Sequence, residues 1–228
     1  IIIFLIRTDL MVDDFEKEIN LPNNIPIFPL EGVVMFPDTY LPLNIFETRY
    51  LKMVENAISN ENRLIGMIQT KNLNKSNEKS AFYRVGCAGK IIKFEETDDN
   101  RYLITLKGLS RFNLISEKTN EKDYKEANIS CENFSKDLNI NAKSSDFSTL
   151  KKTLKKYFKS KNIRANTDAI DTFNDYNFVD QITMICPLAN NEKQLLLETT
   201  SISKREKLLQ TILDSYISEE NISNTIKH

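Results

Sequence analysis

"IPIFPLEGVVMFPDTYLPLNIFETRY", residues 25–50, carries four of the chain's six prolines (Pro26, Pro29, Pro37 and Pro42) and one glycine, Gly32. Between them lie Ile27, Phe28, Leu30, Val33, Val34, Met35, Phe36, Leu41, Leu43, Ile45 and Phe46. Proline has no amide hydrogen to give a ladder, so within sheets it is confined to edges, strand starts and bulges. A stretch this apolar and this short of donors is expected to form two short strands, "IPIFPL" and "YLPLNIF", joined by a kinked connection. Met35, Phe36 and Tyr40 are not obviously consumed by those strands and form the candidate protein-contact surface. Burial between the two halves of the chain accounts for them equally well.

Outward from this stretch the sequence keeps a strand character to about residue 134. "RLIGMIQ" (63–69) is a buried-type strand. "YRVGCAGKIIKFEE" and "RYLITLKGLSRFNLISE" flank the polar turn "TDDN" and are expected to pair as a hairpin. "EANISCENF" (126–134) is one more strand, and "TKNLNKSNEKS" and "EKTNEKDYKE" are polar insertions read as loops. The exception is "ETRYLKMVENAISN" (47–60), where Tyr50, Leu51, Val54, Ala57 and Ile58 recur at helical spacing.

After the polar, serine-rich residues 135–145 the period changes to that of helices. In "DFSTLKKTLKKYFKSK" the residues Phe147, Leu150, Leu154, Tyr157 and Phe158 share one arc, with Ser145 or Asp146 placed to cap. "NFVDQITMIC", "NEKQLLLETT" and "SKREKLLQTILDSYISEE" follow, the last opening on a capping-box pattern of Ser203 and Glu206. The expected architecture is α+β, a β-rich half followed by an all-helical half. The expected division is an N-terminal extension at 1–23, a β-rich subdomain at 24–134, a linker at 135–145, a helical subdomain at 146–219 and a tail at 220–228.

Composition narrows the function classes. The 228 residues are 40% hydrophobic and 28% charged, with 32 acidic against 31 basic side chains, so no global field favours nucleic acid or membrane. The opening "IIIFLI" is too short to span a bilayer and lacks the basic region of a signal peptide. Residues 1–10 are read as an extension upstream of a natural start near Met11, an ordinary N-terminal strand being the alternative. Cys87, Cys131 and Cys186 are widely spaced, and their odd number fits reduced thiols in a cytoplasm.

Catalytic constellations are missing from the pattern. The sole histidine is the terminal His228, a poor place to hold an imidazole against a nucleophile. No Cys or His pair has metal-ligand spacing, and "GCAGK" (86–90) fails the phosphate-loop pattern and suits a strand bulge instead. "EETDD" (95–99) suits a solvated hairpin turn. The expectation is therefore no enzyme, no metal and no cofactor. One basic run is sharper. Lys151, Lys152, Lys155, Lys156 and Lys159 fall opposite the apolar arc of their helix and make residues 151–164 a candidate RNA contact, weighed against an ordinary solvated face.

The opening stretch, together with "RLIGMIQ", "YRVGCAGKIIKF", "YLITLKGLSRFNLI" and "PLANNEKQLLLETTSISKREKLLQTIL", resembles the N-terminal domain family of the ATP-dependent Lon proteases over roughly residues 24–217. The resemblance implies a PUA-like β-pseudobarrel with one helix, followed by an α-helical bundle. It implies binding of unfolded or extended protein segments, with a protease or chaperone as a further partner; the balanced charge separately disfavours membrane and nucleic acid, an RNA-binding module using residues 151–164 being the alternative. With no nucleotide-binding loop or Ser-Lys site, the chain looks like a stand-alone form, a truncated ATP-dependent protease being the alternative. The family's recurrent residues fall on Pro29, Leu30, Pro37, Phe46, Glu47, Arg49, Tyr50, Gly86, Gly108, Arg111 and Phe112. From these charges a structural ion pair is expected, Glu47 with Arg49 or Arg111, locking the helix to the sheet.

Overall fold

The structure, a computed structural model, describes residues 21–71, 81–138, 146–173 and 176–226, and leaves aside the side chains of 167, 169 and 221–226. The extension read at 1–10, most of the insertion at 70–80, most of the linker at 135–145 and His228 lie outside the described residues. Among the described residues six strands are present: β1 (Asn24–Pro29), β2 (Tyr40–Ile45), β3 (Leu64–Ile68), β4 (Val85–Glu96), β5 (Tyr102–Thr119) and β6 (Lys125–Ser130). They form one sheet in the order β2-β5-β4-β3-β1-β6, and a further β5–β6 pairing closes β1, β3, β4, β5 and β6 into a ring. All pairs are antiparallel except β1 with β3. Strand β2 stands outside the ring, paired only to the first part of β5. Helix α1 (Thr48–Ser59) buries Tyr50, Met53, Val54 and Ala57, and the Tyr50 ring meets Phe28 of β1 at 4.5 Å. With the helices described below, this makes a mixed α+β fold.

The prolines fall where the ladder can spare an amide. Pro26 pairs toward β6 alone, because the β1–β3 register starts only at Ile27. Pro42 lies in the outlying β2. Between β1 and β2 the chain crosses β5 at a glycine notch. Gly89 and Gly108 face each other across β4 and β5 at a register shift whose extra residue is Leu109 of β5, so the bulge lies in the strand opposite "GCAGK" rather than in that stretch itself. A Cβ on Gly89 would lie 2.6 Å from Met35 Cε, and one on Gly108 only 2.0 Å from the Phe36 carbonyl oxygen. Asp38 N donates to Gly108 O and Gly108 N to Thr39 O, both at 2.9 Å, and Thr39 Oγ1 donates to Phe36 O at 2.7 Å. Met35 and Phe36 are thereby fully buried in the β-rich unit. The expectation that they form a contact surface is corrected: the missing side chains of two glycines make room for them inside.

A second correction concerns "EKTNEKDYKE", expected to be a loop. Strand β5 runs on through it to Thr119, and β6 begins at Lys125. The reversal is built by Asn120, whose Oδ1 accepts from the amides of Lys122 and Tyr124, with Asp123 in the left-handed region. Strand β6 also ends sooner than expected, giving way to a 3₁₀ helix at Glu132–Leu138.

The chain divides into two compact units, one of Ile19–Ile140 with Cys186–Glu198, the other built on Asn141–Ile185 and Thr199–His228. The second contains α2 (Ser148–Ser160), α3 (Thr167–Thr172), α4 (Phe178–Ile185) and α6 (Ile202–Ile226). Phe147, Leu150, Leu154, Tyr157 and Phe158 are buried, with Phe147 against Phe178 at 5.3 Å and Tyr157 against Tyr216 at 5.8 Å. Asp146 Oδ1 accepts from Ser148 N, and hydrogen bonds from Ser148 hold that carboxyl below its usual range. At α6 the capping serine is Ser201, whose Oγ receives the Lys204 amide, rather than the expected Ser203. Arg205 and Asp180 form a buried ion pair, and the same guanidinium donates to Thr199 O.

Helix α5 (Asn190–Glu198) belongs with the β-rich unit, although it lies inside the stretch 146–219 that periodicity assigns to the helical half. The cause is polar. Gln194 Nε2 donates to Val85 O at 3.1 Å, and Gln69 Nε2 to Gln194 Oε1 at 3.0 Å and Asn190 O at 3.1 Å. Lys193 Nζ donates to Gly32 O at 3.1 Å, and burial lowers the pKa of this amine.

Candidate protein-contact site

Strand β3 covers β4 only as far as Lys90, so beyond it β2, β5 and β4 continue as a three-stranded extension of the ring. Large apolar side chains are exposed near its end: Phe46 is 63% exposed, Phe94 43%, Ile92 41% and Leu103 38%. Ile92 is exposed next to the buried Ile91, and a register shift between Ile91 and Lys93 leaves it as the extra residue of a bulge in β4. Phe94 meets Tyr102 edge-on at 4.9 Å, and the Arg101 guanidinium lies 5.7 Å from the Phe46 ring centre. Arg101 is also paired with Asp99 at 2.7 Å, and Tyr102 Oη donates to Glu55 Oε1 on α1 at 2.9 Å. Apolar rings set in a polar rim are the makeup of a protein-contact surface. Sequence reasoning missed these exposed side chains because Phe94 and Leu103 sit in runs that also hold core residues such as Ile91 and Ile104. The broken alternation at Ile91–Ile92 was the available signal.

The residues singled out from the sequence are dispersed. Tyr40 is half-buried on β2 opposite Lys107, whose ammonium pairs with Asp38 at 3.2 Å. Glu47 pairs with Arg49 at 2.8 Å as expected, but the pair is half exposed at the start of α1 and caps no amide there. Arg111 takes no part in it. Its buried guanidinium grips Asp137 through Nε at 2.8 Å and Nη2 at 2.7 Å, and donates from Nη1 to Leu197 O at 3.0 Å. The lock expected between α1 and the sheet is therefore a lock between β5, the 3₁₀ helix and α5. Exposed pairs contribute little, so Glu47→Gln is expected to lower the melting temperature by no more than about 3 °C. A larger loss in thermal unfolding would restore a structural role to that pair.

The other candidates yield no chemistry. Burial raises the pKa of all three thiols, Cys186 to about 12 and Cys87 well above its ordinary value, which makes them poor nucleophiles. Among the described residues no group of His, Cys, Asp and Glu could hold a metal ion, and no helix is long and apolar enough to cross a membrane. The basic face of α2 is shorter than the sequence suggested. Lys151 is buried, donating to Asp171 O at 3.0 Å, and Lys155 pairs with the Asp171 carboxylate, which leaves Lys152, Lys156 and Lys159 exposed. Three exposed lysines without interleaved aromatic residues are a thin platform for a nucleic acid.

The fold places the chain in a class. It resembles the N-terminal domain of a Mycobacterium avium complex Lon protease, with a TM-score of 0.58 at 15% identity, over 84% of this chain and 98% of that one. A Lon N-terminal domain protein from Xanthomonas campestris gives the same TM-score at 16% identity, over 82% of this chain and 97% of that one. The family model of the ATP-dependent protease La (LON) substrate-binding domain matches residues 24–215, and the chain belongs to that family. Its relatives include the Lon protease of Syntrophus aciditrophicus, 26% identical over 89% of this chain and 26% of that protein. The Lon protease of Dictyoglomus thermophilum is 25% identical over 93% of this chain and 27% of its own length. The chain thus spans about a quarter of the curated relatives it matches.

Proposed function

We propose that this chain is a non-catalytic protein-binding module that captures unfolded or extended segments of client proteins. The observation that carries the reading is the exposure of Phe46, Ile92, Phe94 and Leu103 along the sheet extension of a substrate-binding-family fold, with Phe94 on the Tyr102 face and Leu103 on the opposite one. Its strand edges are poor templates for indiscriminate pairing, since Pro42 interrupts β2 and the bulge and charges of Lys93, Glu95 and Glu96 interrupt β4. Side-chain capture by the rings is then the main source of affinity. The five-stranded ring is read as a PUA-like pseudobarrel and the helices of the second unit as a bundle. Clients would be handed to a protease or chaperone in the cytoplasm, where the free thiols stay reduced.

Reduced, carboxymethylated lactalbumin, a permanently unfolded protein, is expected to bind while native lactalbumin does not. The double variant Phe46→Ser/Phe94→Ser should weaken that binding at least about tenfold, because buried aromatic anchors dominate such interfaces. Titration by fluorescence anisotropy reads the result. Unchanged binding by the double variant would remove the site.

A further inference from the structure

We propose that Phe94 and Tyr102, with Glu55 and Glu96, form a receptor for one arginine side chain of an extended client segment, an inference that rests on the capture reading above. The four groups converge from three elements. Glu96 is the ladder partner of Tyr102, and Phe94 lies two residues earlier on β4, hence on the same face as Glu96. Phe94 packs edge-on with Tyr102 at an interplanar angle of 63° and is 43% exposed, so a planar cation can reach the Phe94 side chain. Glu55 is oriented by the Tyr102 hydroxyl through Oε1, which leaves its other oxygen to accept from a donor. The Tyr102 hydroxyl is pushed above its usual pKa, first by the hydrogen bond to Glu55, then by partial burial, then by the charges of Glu55 and Glu96. Both carboxylates therefore bear on one point beside the rings.

Charge complementarity specifies the occupant. The hairpin end "FEETDDNRYL" (94–103) holds Glu95, Glu96, Asp98 and Asp99 against Arg101. That arginine is committed to Asp99 and stacked on Phe46, and Arg49 is committed to Glu47. The remaining cation of α1, Lys52, is exposed and carries a flexible ammonium rather than a planar fork. A guanidinium can stack on an aromatic ring and donate to two carboxylates at once, which an ammonium does less well.

The test uses two extended peptides of identical apolar sequence that differ only in one residue beside an aromatic side chain, arginine in one and citrulline in the other. Citrulline keeps the shape and removes the charge. The arginine peptide is expected to bind about tenfold tighter in low salt, with the gap narrowing in about 0.5 M salt. Glu96→Gln, Glu55→Gln and Phe94→Ala should each shrink the gap, and Glu55→Gln retains an acceptor for Tyr102, so the fold is kept. Equal affinity of the two peptides for the unaltered chain overturns the receptor and leaves apolar capture standing. A gap that survives all three substitutions overturns its location. If neither peptide binds, the receptor falls, and if unfolded lactalbumin also fails to bind, the capture reading falls with it.

Discussion

An Asp137→Ala variant is expected to lose about 3–5 kcal/mol of stability, because it strands the Arg111 guanidinium in a site where only 4% of that side chain meets solvent. Asp137 receives three hydrogen bonds from Arg111, two from the guanidinium and one from the backbone amide at 3.0 Å. The guanidinium also lies 4.7 Å from the Phe134 ring centre and reaches Leu197 O, so it has no route to water without dismantling its surroundings. In a chain of this length the loss corresponds to a fall of about 10 °C or more in melting temperature. The double variant Arg111→Met/Asp137→Leu removes both charges, and its expected cost is smaller, about 1–3 kcal/mol, from the Arg111 amide and Leu197 carbonyl left without partners. Urea unfolding of the two variants decides the matter. If the double variant is the less stable, the pair contributes net attraction rather than avoiding a stranded charge.

Gly108→Ala is expected to cost about 3 kcal/mol, although it adds a single methyl group. That methyl would lie 2.0 Å from the Phe36 carbonyl oxygen and 2.9 Å from its carbon, and neither can retreat. The crossing segment is pinned at this point by the two amide hydrogen bonds between Gly108 and residues 38 and 39. Gly89→Ala is the informative contrast. Its methyl meets Met35 Cε at 2.6 Å, the free end of a flexible side chain, and the expected cost is nearer 1 kcal/mol. Equal melting temperatures for the two variants would show that the crossing is looser than the hydrogen bonds imply.

Local chemistry made much of the fold legible. The α1 stripe, the "TDDN" hairpin and the switch from strand to helix periodicity near residue 146 are written in residues that are neighbours in sequence, and each is present. What periodicity could not reveal were pairings across long separations. Asp137 lies in a polar segment resembling a linker, 26 residues from the arginine that buries it. Helix α5 has the spacing of any amphipathic helix, and its attachment to the β-rich unit depends on Gln69 and Val85, more than a hundred residues away. The burial of Met35 and Phe36 is hidden from the local sequence for a related reason, because the space that admits them is made by glycines at 89 and 108. The exposed ring of Phe94 was hidden by context: it occurs in as apolar a run as its ladder partner, the buried Ile104, and what separates them is that β4 is the edge of the extension while β5 is flanked on both sides.

The dependence of the β-rich unit on α5 has a meaning for synthesis. A ribosome releases the chain from its N-terminus, and the ring can close once β6 has emerged. At that moment Arg111 Nη1, Gln69 Nε2 and the Val85 carbonyl still await their partners on Leu197, Asn190 and Gln194. The forty-odd residues of Asn141–Ile185 must be made before those partners exist. The nascent unit therefore passes through an interval in which its ring is closed while three of its polar groups still wait for partners that have yet to be made.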